Sequence, residues 1–257
     1  MPIIVLTNDD GVHAPGLRAL MDELRGRYNV RVFAPDRERS ASSHSLTLDR
    51  PLKVSTISEG VYSITGTPTD CVAVGITKLL ERRPALLISG INSGANLGDD
   101  ITYSGTVSAA MEGTILNIPS IAVSLYVEGG YEGPMYYETA ARVASMAAAY
   151  VLENSLPYDT LLNINVPNRP YEELQGVKFT RQCRRMYEDA IKETVSPWGE
   201  TFFWIGGGSP VWEHGEDTDM TAVREGWVSV TPLHLDLTNY GALGFLRERW
   251  KPTITPD

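Results

Sequence analysis

Two adjacent carboxylates, Asp9 and Asp10, end a short apolar run from Ile3 to Leu6, in the stretch TNDDGVHAPG (residues 7–16). Neighbouring carboxylates repel each other, and an Asx-type turn with a helix cap accounts for only one of them. A hard divalent cation accounts for both, because it cancels their repulsion and prefers oxygen ligands. Zinc is disfavoured, since no His or Cys sits at ligand spacing.

Two further stretches are rich in oxygen donors. In GINSGANLGDDITYSGT (90–106), Gly90, Gly94, Gly98 and Gly105 let backbone approach a ligand, while Asn92, Ser93, Asn96, Ser104 and Thr106 supply neutral donors and acceptors. Its end, Ser104–Gly105–Thr106, runs into a predicted helix whose unpaired N–H groups suit a phosphate. A structureless connection of ~16 residues inside a compact α/β unit points to function rather than to a plain linker. The stretch APDRERSASSHS (34–45) adds Asp36, Arg37, Arg39, Ser40, Ser42, Ser43 and His44. Its arginines either meet a phosphate or pair with Glu38, and His13 and His44 read as polar loop histidines rather than as an acid or base. Asp99 and Asp100 read as solvated or capping carboxylates. The acidic EHGEDTD (213–219) reads as solvated, because it lacks calcium-loop spacing.

The surrounding pattern is a framework that brings these stretches to one edge. Residues 3–7 (IIVLT) and 30–34 (VRVFA) read as buried strands around a helix over 15–26, which makes a βαβ unit with a parallel pair. A hairpin over 51–66 turns near Glu59–Gly60. A helix over 68–80, capped by Thr67 or Thr69, precedes a strand over 85–89. Then follow a helix over 106–116, a strand over 120–125, a helix over 137–152 and a strand over 161–166. This alternation predicts a Rossmann-like, doubly wound, mostly parallel α/β sheet, with ligands beyond the carboxyl ends of its strands. After about Gln175 the character changes to short strands over 177–182, 200–206 and 227–231, joined by polar or Gly-rich connections, with Gly206–Gly208 as a turn. The aromatics Trp198, Phe202, Phe203, Trp204 and Trp212 in this tail predict a β-rich arm or subdomain used in oligomer contacts. The expected division is a catalytic core over 1–175 and an extension over 176–257 with a hairpin arm and a final helix, both within one functional unit.

At 257 residues with 42% hydrophobic and 21% charged residues, the chain has the balance of a globular protein with a sizeable core. A formal charge of -10 repels phosphate polymers and anionic lipid, which argues against nucleic-acid or membrane partners. Cys71 and Cys183 fit no redox or metal spacing, and no signal peptide or membrane span is expected, so a soluble cytoplasmic protein is predicted. GVHAPG (11–16) departs from a dinucleotide fingerprint, and no Walker A sequence or G-x-S-x-G elbow occurs.

With these residues assembled, the chain resembles the SurE family of survival-protein nucleotidases. The resemblance rests on TNDDGVHAPG (7–16), APDRERSASSHSLTL (34–48), GTPTDCV (66–72), SGINSGANLGDDITYSGTVSAAMEG (89–113) and LLNINVP (161–167). Tail segments RQCRRMYED (181–189), GETFFWIGG (200–208) and DMTAVREGWVSVTPL (219–233) extend it over nearly the whole chain, with Cys183 where a smaller residue is usual. It implies a metal-dependent phosphatase of nucleoside monophosphates, a 5′-nucleotidase with 3′-nucleotidase and exopolyphosphatase activity in some members. It further implies one divalent cation per subunit, Mg²⁺ or Mn²⁺, held by Asp9, Asp10, Ser40 and Asn92. Asn96, Ser104, Gly105 and Thr106 would then hold the phosphate, and Asp9 or Asp10 would serve as base or nucleophile. Homodimers or homotetramers built by an exchanged C-terminal arm are also implied. Two readings from other classes compete: a non-catalytic nucleotide or metal sensor, and a metal-dependent glycosyltransferase. The latter normally places a residue between its aspartates, whereas Asp9 and Asp10 are adjacent.

Overall fold

A computed structural model describes residues 1–129, 131–186, 191–205, 211–213 and 215–250. The expected turn at Gly206–Gly208 and the end of the RQCRRMYED run, Tyr187–Asp189, lie outside the described residues. Strand β1 (Ile3–Thr7) leads into helix α1 (Pro15–Arg25), with Pro15 in the first helical turn, where its missing N–H is not needed. Strand β2 (Asn29–Pro35) pairs parallel with β1. The hairpin of β3 (Val54–Ser58) and β4 (Val61–Ile64) turns around Gly60, whose φ of +73° a side-chain-bearing residue rarely adopts. Helix α2 (Pro68–Val74) starts at Thr67, which exchanges hydrogen bonds with Asp70 in a capping box, and it continues as a π-helical turn over Gly75–Leu79. Strand β5 (Leu86–Ser93), α3 (Gly105–Ile115), β6 (Ser120–Tyr126), α4 (Tyr137–Asn154) and β7 (Thr160–Pro167) complete the alternating part.

The structure differs from expectation at β5. The strand does not end at Ser89 but runs on through Gly90–Ile91–Asn92–Ser93, across a cis Gly90–Ile91 bond and an irregularity in its pairing with β6. A 3-10 turn covers Gly98–Thr102, so only residues 94–97 and 103–104 of the supposed structureless loop lie outside regular elements. Pairing of Asn92 with Ser124 and of Ser93 with Leu125 overrides the turn-like composition of GINSG.

The tail adds β8 (Val177–Phe179), β9 (Arg185–Met186), β10 (Ile191–Val195), β11 (Thr201–Ile205), β12 (Val211–Trp212), α5 (Asp219–Arg224), β13 (Val228–His234) and α6 (Tyr240–Arg249). Its strands divide between two places. β13 runs antiparallel to β7 and carries β8 on its outer side, because Val228 and Val230 join the core beside Ile164. β10 and β11 instead form a separate hairpin with every residue exposed. The main sheet has nine strands in the order β3-β4-β2-β1-β5-β6-β7-β13-β8, parallel from β4 to β7. Ile4 and Leu6 pack with α1 and α4 on one face, while Val5 packs with α2 and α3 on the other. The chain leaves β1 in one direction towards β2 and resumes on its other side at β5, so a crevice opens beyond the carboxyl ends of these strands. Among the described residues no helix is long and apolar enough to cross a membrane. Both cysteines are buried free thiols.

Candidate functional site

The carboxyl ends of β1 and β5 and the loop after β2 enclose a cleft of about 500 Å³, lined by Asp9, Asp10, Glu38, Ser40, Asn92 and Asn96, among others. A hollow of similar size, about 510 Å³, lies at the opposite edge near Pro119 and Thr160, where the parallel strands begin. Ligands of open parallel sheets bind at the carboxyl edge, which favours the first.

Each aspartate is held by one oxygen. The Thr106 hydroxyl, in the first turn of α3, donates to Asp9 Oδ1 at 2.5 Å. Ser93 donates to Asp10 Oδ2 from its backbone N–H at 3.3 Å and its hydroxyl at 3.4 Å. Both tethers leave the second carboxylate oxygen for a ligand. Burial pushes the Asp9 carboxyl above its ordinary range, partly offset by the Thr106 hydrogen bond. Asp10 is pushed up to about 6, first by burial and then by the charge of Asp9. Such a pair is unfavourable when ionised and unaccompanied, and a cation removes that penalty.

The neutral donors converge on the same place. Asn92 gives its amide N–H to the Gly94 carbonyl at 2.7 Å, which leaves its Oδ1 as the group available to a ligand. The Ser40 hydroxyl donates to Glu38 Oε1 at 2.6 Å, so its lone pairs remain free to accept or to coordinate. Several buried oxygens around the end of β1 have no hydrogen-bond partner, among them Thr7 Oγ1, Asn8 Oδ1, Ser89 Oγ and Ser42 Oγ. Two carboxylates with Ser and Asn oxygens, and no His or Cys, match the donor set of Mg²⁺ or Mn²⁺. These residues therefore fit a hard divalent cation.

The residues expected at the phosphate fall into two groups. Asn96 and Ser104 line the cleft, whereas Gly105 and Thr106 are buried behind Asp9. A side chain at Gly105 would come within 2.8 Å of Asp9 Cβ and Ser42 Oγ, so glycine lets α3 start directly against Asp9. Ser104 caps α3 by accepting from the Val107 N–H at 3.0 Å. Asn96 is fixed on three sides. Its amide donates to Ser124 Oγ at 2.7 Å, its N–H to Asn165 Oδ1 at 2.9 Å, and its carbonyl accepts from Asn163 and Asn165.

Of the other residues singled out in the sequence, some sit as expected and some do not. Neither histidine lines the cleft: His44 bonds to Glu112 at 3.0 Å and His13 borders a separate groove. Arg39 bonds to Asp36, and neither it nor Arg37 lines the cleft. Asp99 and Asp100 are not merely solvated, since both bind Arg185 of β9, Asp99 through its backbone N–H and Asp100 through its guanidinium. Within EHGEDTD, Asp219 is fully buried and accepts from the Gly98 and Cys183 N–H groups, while Glu213 and Asp217 pair with Arg181. Thus the tail braces the loop that carries Asn96. Glu38, Asn163 and Asn165 were missed as site residues. The two asparagines could have been found as polar residues alternating within the apolar strand LLNINVP.

The model of the family described as survival protein SurE matches residues 4–189. The chain belongs to the SurE family. A SurE relative from Geobacter sulfurreducens, named 5′-nucleotidase SurE, is 53% identical over 244 residues, covering 95% of this chain and 92% of that protein. One from Syntrophotalea carbinolica with the same name is 49% identical over 255 residues, covering 99% and 100%. The crystal structure of the SurE protein from Aquifex aeolicus superposes with a TM-score of 0.85 at 44% identity, covering 96% of this chain and 99% of that one. The match to that structure supports the doubly wound fold described above.

Proposed function

We propose that this SurE chain is a divalent-metal-dependent 5′-nucleotidase that hydrolyses the phosphate monoester of nucleoside monophosphates. Activity on 3′-nucleotides and polyphosphate belongs to the same proposal as a further range. The observation that carries it is the pairing of Asp9 and Asp10 at the carboxyl end of β1, each tethered by one oxygen, opposite Asn92 and Ser40. Relatives at about half identity named as 5′-nucleotidases supply the substrate class.

Asp9, Asp10, Ser40 and Asn92 would hold one Mg²⁺ or Mn²⁺, which offsets charge developing on the phosphoryl group and makes bound water more acidic. Around it the chain's own groups orient the ester. Asn96 and Ser104 line the wall where phosphoryl oxygens would lie, and Gly105 and Thr106 act from behind by fixing Asp9. Asp9 or Asp10 would take the proton of the attacking water or attack phosphorus directly. Glu38 accepts a hydrogen bond from the Ser40 hydroxyl and so keeps the hydroxyl lone pairs turned away from itself.

The proposal extends to assembly and location: a cytoplasmic homodimer or homotetramer, with residues 1–175 as catalytic core and 176–257 supplying the contacts between subunits. Support comes from the exposed Phe202, Phe203 and Trp204 on the β10–β11 hairpin, and from the exposed Phe245 and Trp250 at α6.

Protein stripped of metal should release no phosphate from AMP or GMP, and adding Mg²⁺ or Mn²⁺ should restore release. Undiminished hydrolysis in excess chelator defeats the metal reading. Nucleotide binding without turnover under any divalent cation makes the protein a sensor instead.

A further inference from the structure

We propose that Tyr137 is a positioning residue for the candidate metal site, acting on Asp10 through Ser93. The inference rests on the metal reading of the cleft given above. The Tyr137 hydroxyl lies 2.7 Å from Ser93 Oγ, and Ser93 Oγ in turn lies 3.4 Å from Asp10 Oδ2. An ionised Asp10 can only accept, so when Ser93 Oγ gives its single proton to Asp10, the Tyr137 hydroxyl is the donor to Ser93 Oγ.

The two aspartates make the need for this relay plain. Asp9 is gripped directly, at 2.5 Å, by a buried threonine in the first turn of α3. Among the described residues Asp10 takes longer contacts, from Ser93 at 3.3 and 3.4 Å. Ser93 is the last residue of β5, followed by Gly94 with a φ of +133°, so its hydroxyl has little local restraint. Tyr137 supplies the restraint from another element. It is the first residue of α4, an 18-residue helix that packs on β5, β6 and β7 and lies against α1. Its ring packs against the core cluster containing Ile91 and Ala140, while its outer side borders a groove with His13, Arg18 and Asp22. A rigid helix thereby fixes a hydroxyl that fixes a carboxylate, which is how partners behind a metal ligand set its orientation.

The test measures Mn²⁺ affinity of the substrate-free protein by electron paramagnetic resonance, in wild type, Tyr137→Phe, Ser93→Ala and the double variant. Tyr137→Phe keeps the ring packing and removes one hydroxyl, and should weaken Mn²⁺ binding about tenfold. The loss should appear in the Mn²⁺ concentration needed for half-maximal activity rather than in kcat. The double variant should bind no more weakly than Ser93→Ala, because both changes cut one chain. A wild-type Mn²⁺ affinity in Tyr137→Phe, or losses that add in the double variant, overturns the relay and leaves the nucleotidase reading standing. Absence of Mn²⁺ binding in the wild type overturns both. A lowered unfolding temperature with unchanged Mn²⁺ affinity would make Tyr137 structural only, and would also overturn the proposal.

Discussion

At the carboxyl edge of β1 the chain buries Asn8 and Asp9, while in the β10–β11 hairpin it leaves Phe202, Phe203 and Trp204 half to two-thirds exposed. Each region inverts the usual rule of apolar inside and charged outside. At the edge, the inversion is expensive and closely managed: Thr106, Ser93, Asn163 and Asn165 all donate hydrogen bonds to hold polar groups in one arrangement. In the hairpin, little inside the chain restrains the aromatics; Trp204 donates to Thr194, on the facing strand of the same hairpin. A buried charge cluster held by donated hydrogen bonds, with further buried oxygens left unpartnered beside it, implies a small, charged ligand. Apolar surface on a two-stranded element, which is marginal alone in water, implies a protein neighbour. The two regions are therefore suited to two different kinds of partner.

The strongest way to break this contrast is Asp9→Asn. Asn keeps the shape and can still accept from Thr106, but it removes the charge that a cation would answer. Phosphate release from AMP should fall roughly 10³-fold or more, on the scale of losing a principal electrostatic contact in a reaction centre. The metal-free protein should melt no lower than wild type, because burial already disfavours the ionised Asp9 carboxylate. Scanning calorimetry with and without Mg²⁺ checks this: the variant should lose the metal-induced rise in melting temperature. A variant that is simply unfolded would show the opposite pattern.

A milder test sharpens the same side of the comparison through pH. Asp10 titrates at about 6 in the metal-free protein, raised from an ordinary 3.8 by burial and by Asp9. The folded value exceeds the unfolded one, so this group's contribution to metal-free stability is present at low pH and is lost as pH rises through about 6. Cation binding has the reverse dependence, since it requires the carboxylate. Affinity for Mg²⁺ should fall at least about tenfold per pH unit below 6, where the proton on Asp10 must be displaced and the raised Asp9 carboxyl can only steepen the slope. Titration calorimetry at several pH values reads both the slope and the proton release. A flat profile between pH 5 and 7 would remove Asp10 from the ligand set.

Local pattern carried much of the fold. The apolar run IIVLT, the amphipathic stretch behind Pro15 and the repeated strand–helix alternation are short-range signals, and they led to the observed β1, α1 and parallel core. The paired aspartates were legible for the same reason, since their repulsion is a fact about neighbours in sequence. What stayed hidden depends on partners far along the chain. GINSG has the composition of a turn, yet it is strand because β6 lies beside it. Asp219 sits in an acidic run that looks solvated, yet it is buried against Gly98, 121 residues away. Ser93 and Tyr137, 44 residues apart, carried no sign of contact at all.

The hairpin side of the comparison calls for the smallest effect on catalysis. Phe203 and Trp204 lie on adjacent positions of β11 and therefore face opposite sides of a two-stranded ribbon, both largely exposed. If the hairpin reaches a second copy of the chain, both faces are available to a neighbour, and large aromatics are the residues that dominate such contacts. Replacing both, Phe203→Ser with Trp204→Ser, removes that surface without touching any residue of the cleft. The mass measured by light scattering should shift towards smaller species, and dilution should dissociate the variant at higher concentration than wild type. Turnover per chain at saturating Mg²⁺ should change by less than about twofold, because distant sites without shared partners act independently. An unchanged mass would sever the hairpin from assembly. A large loss of turnover with the expected change in mass would teach something different: that the cleft depends on the neighbouring subunit, and that the two regions are one device.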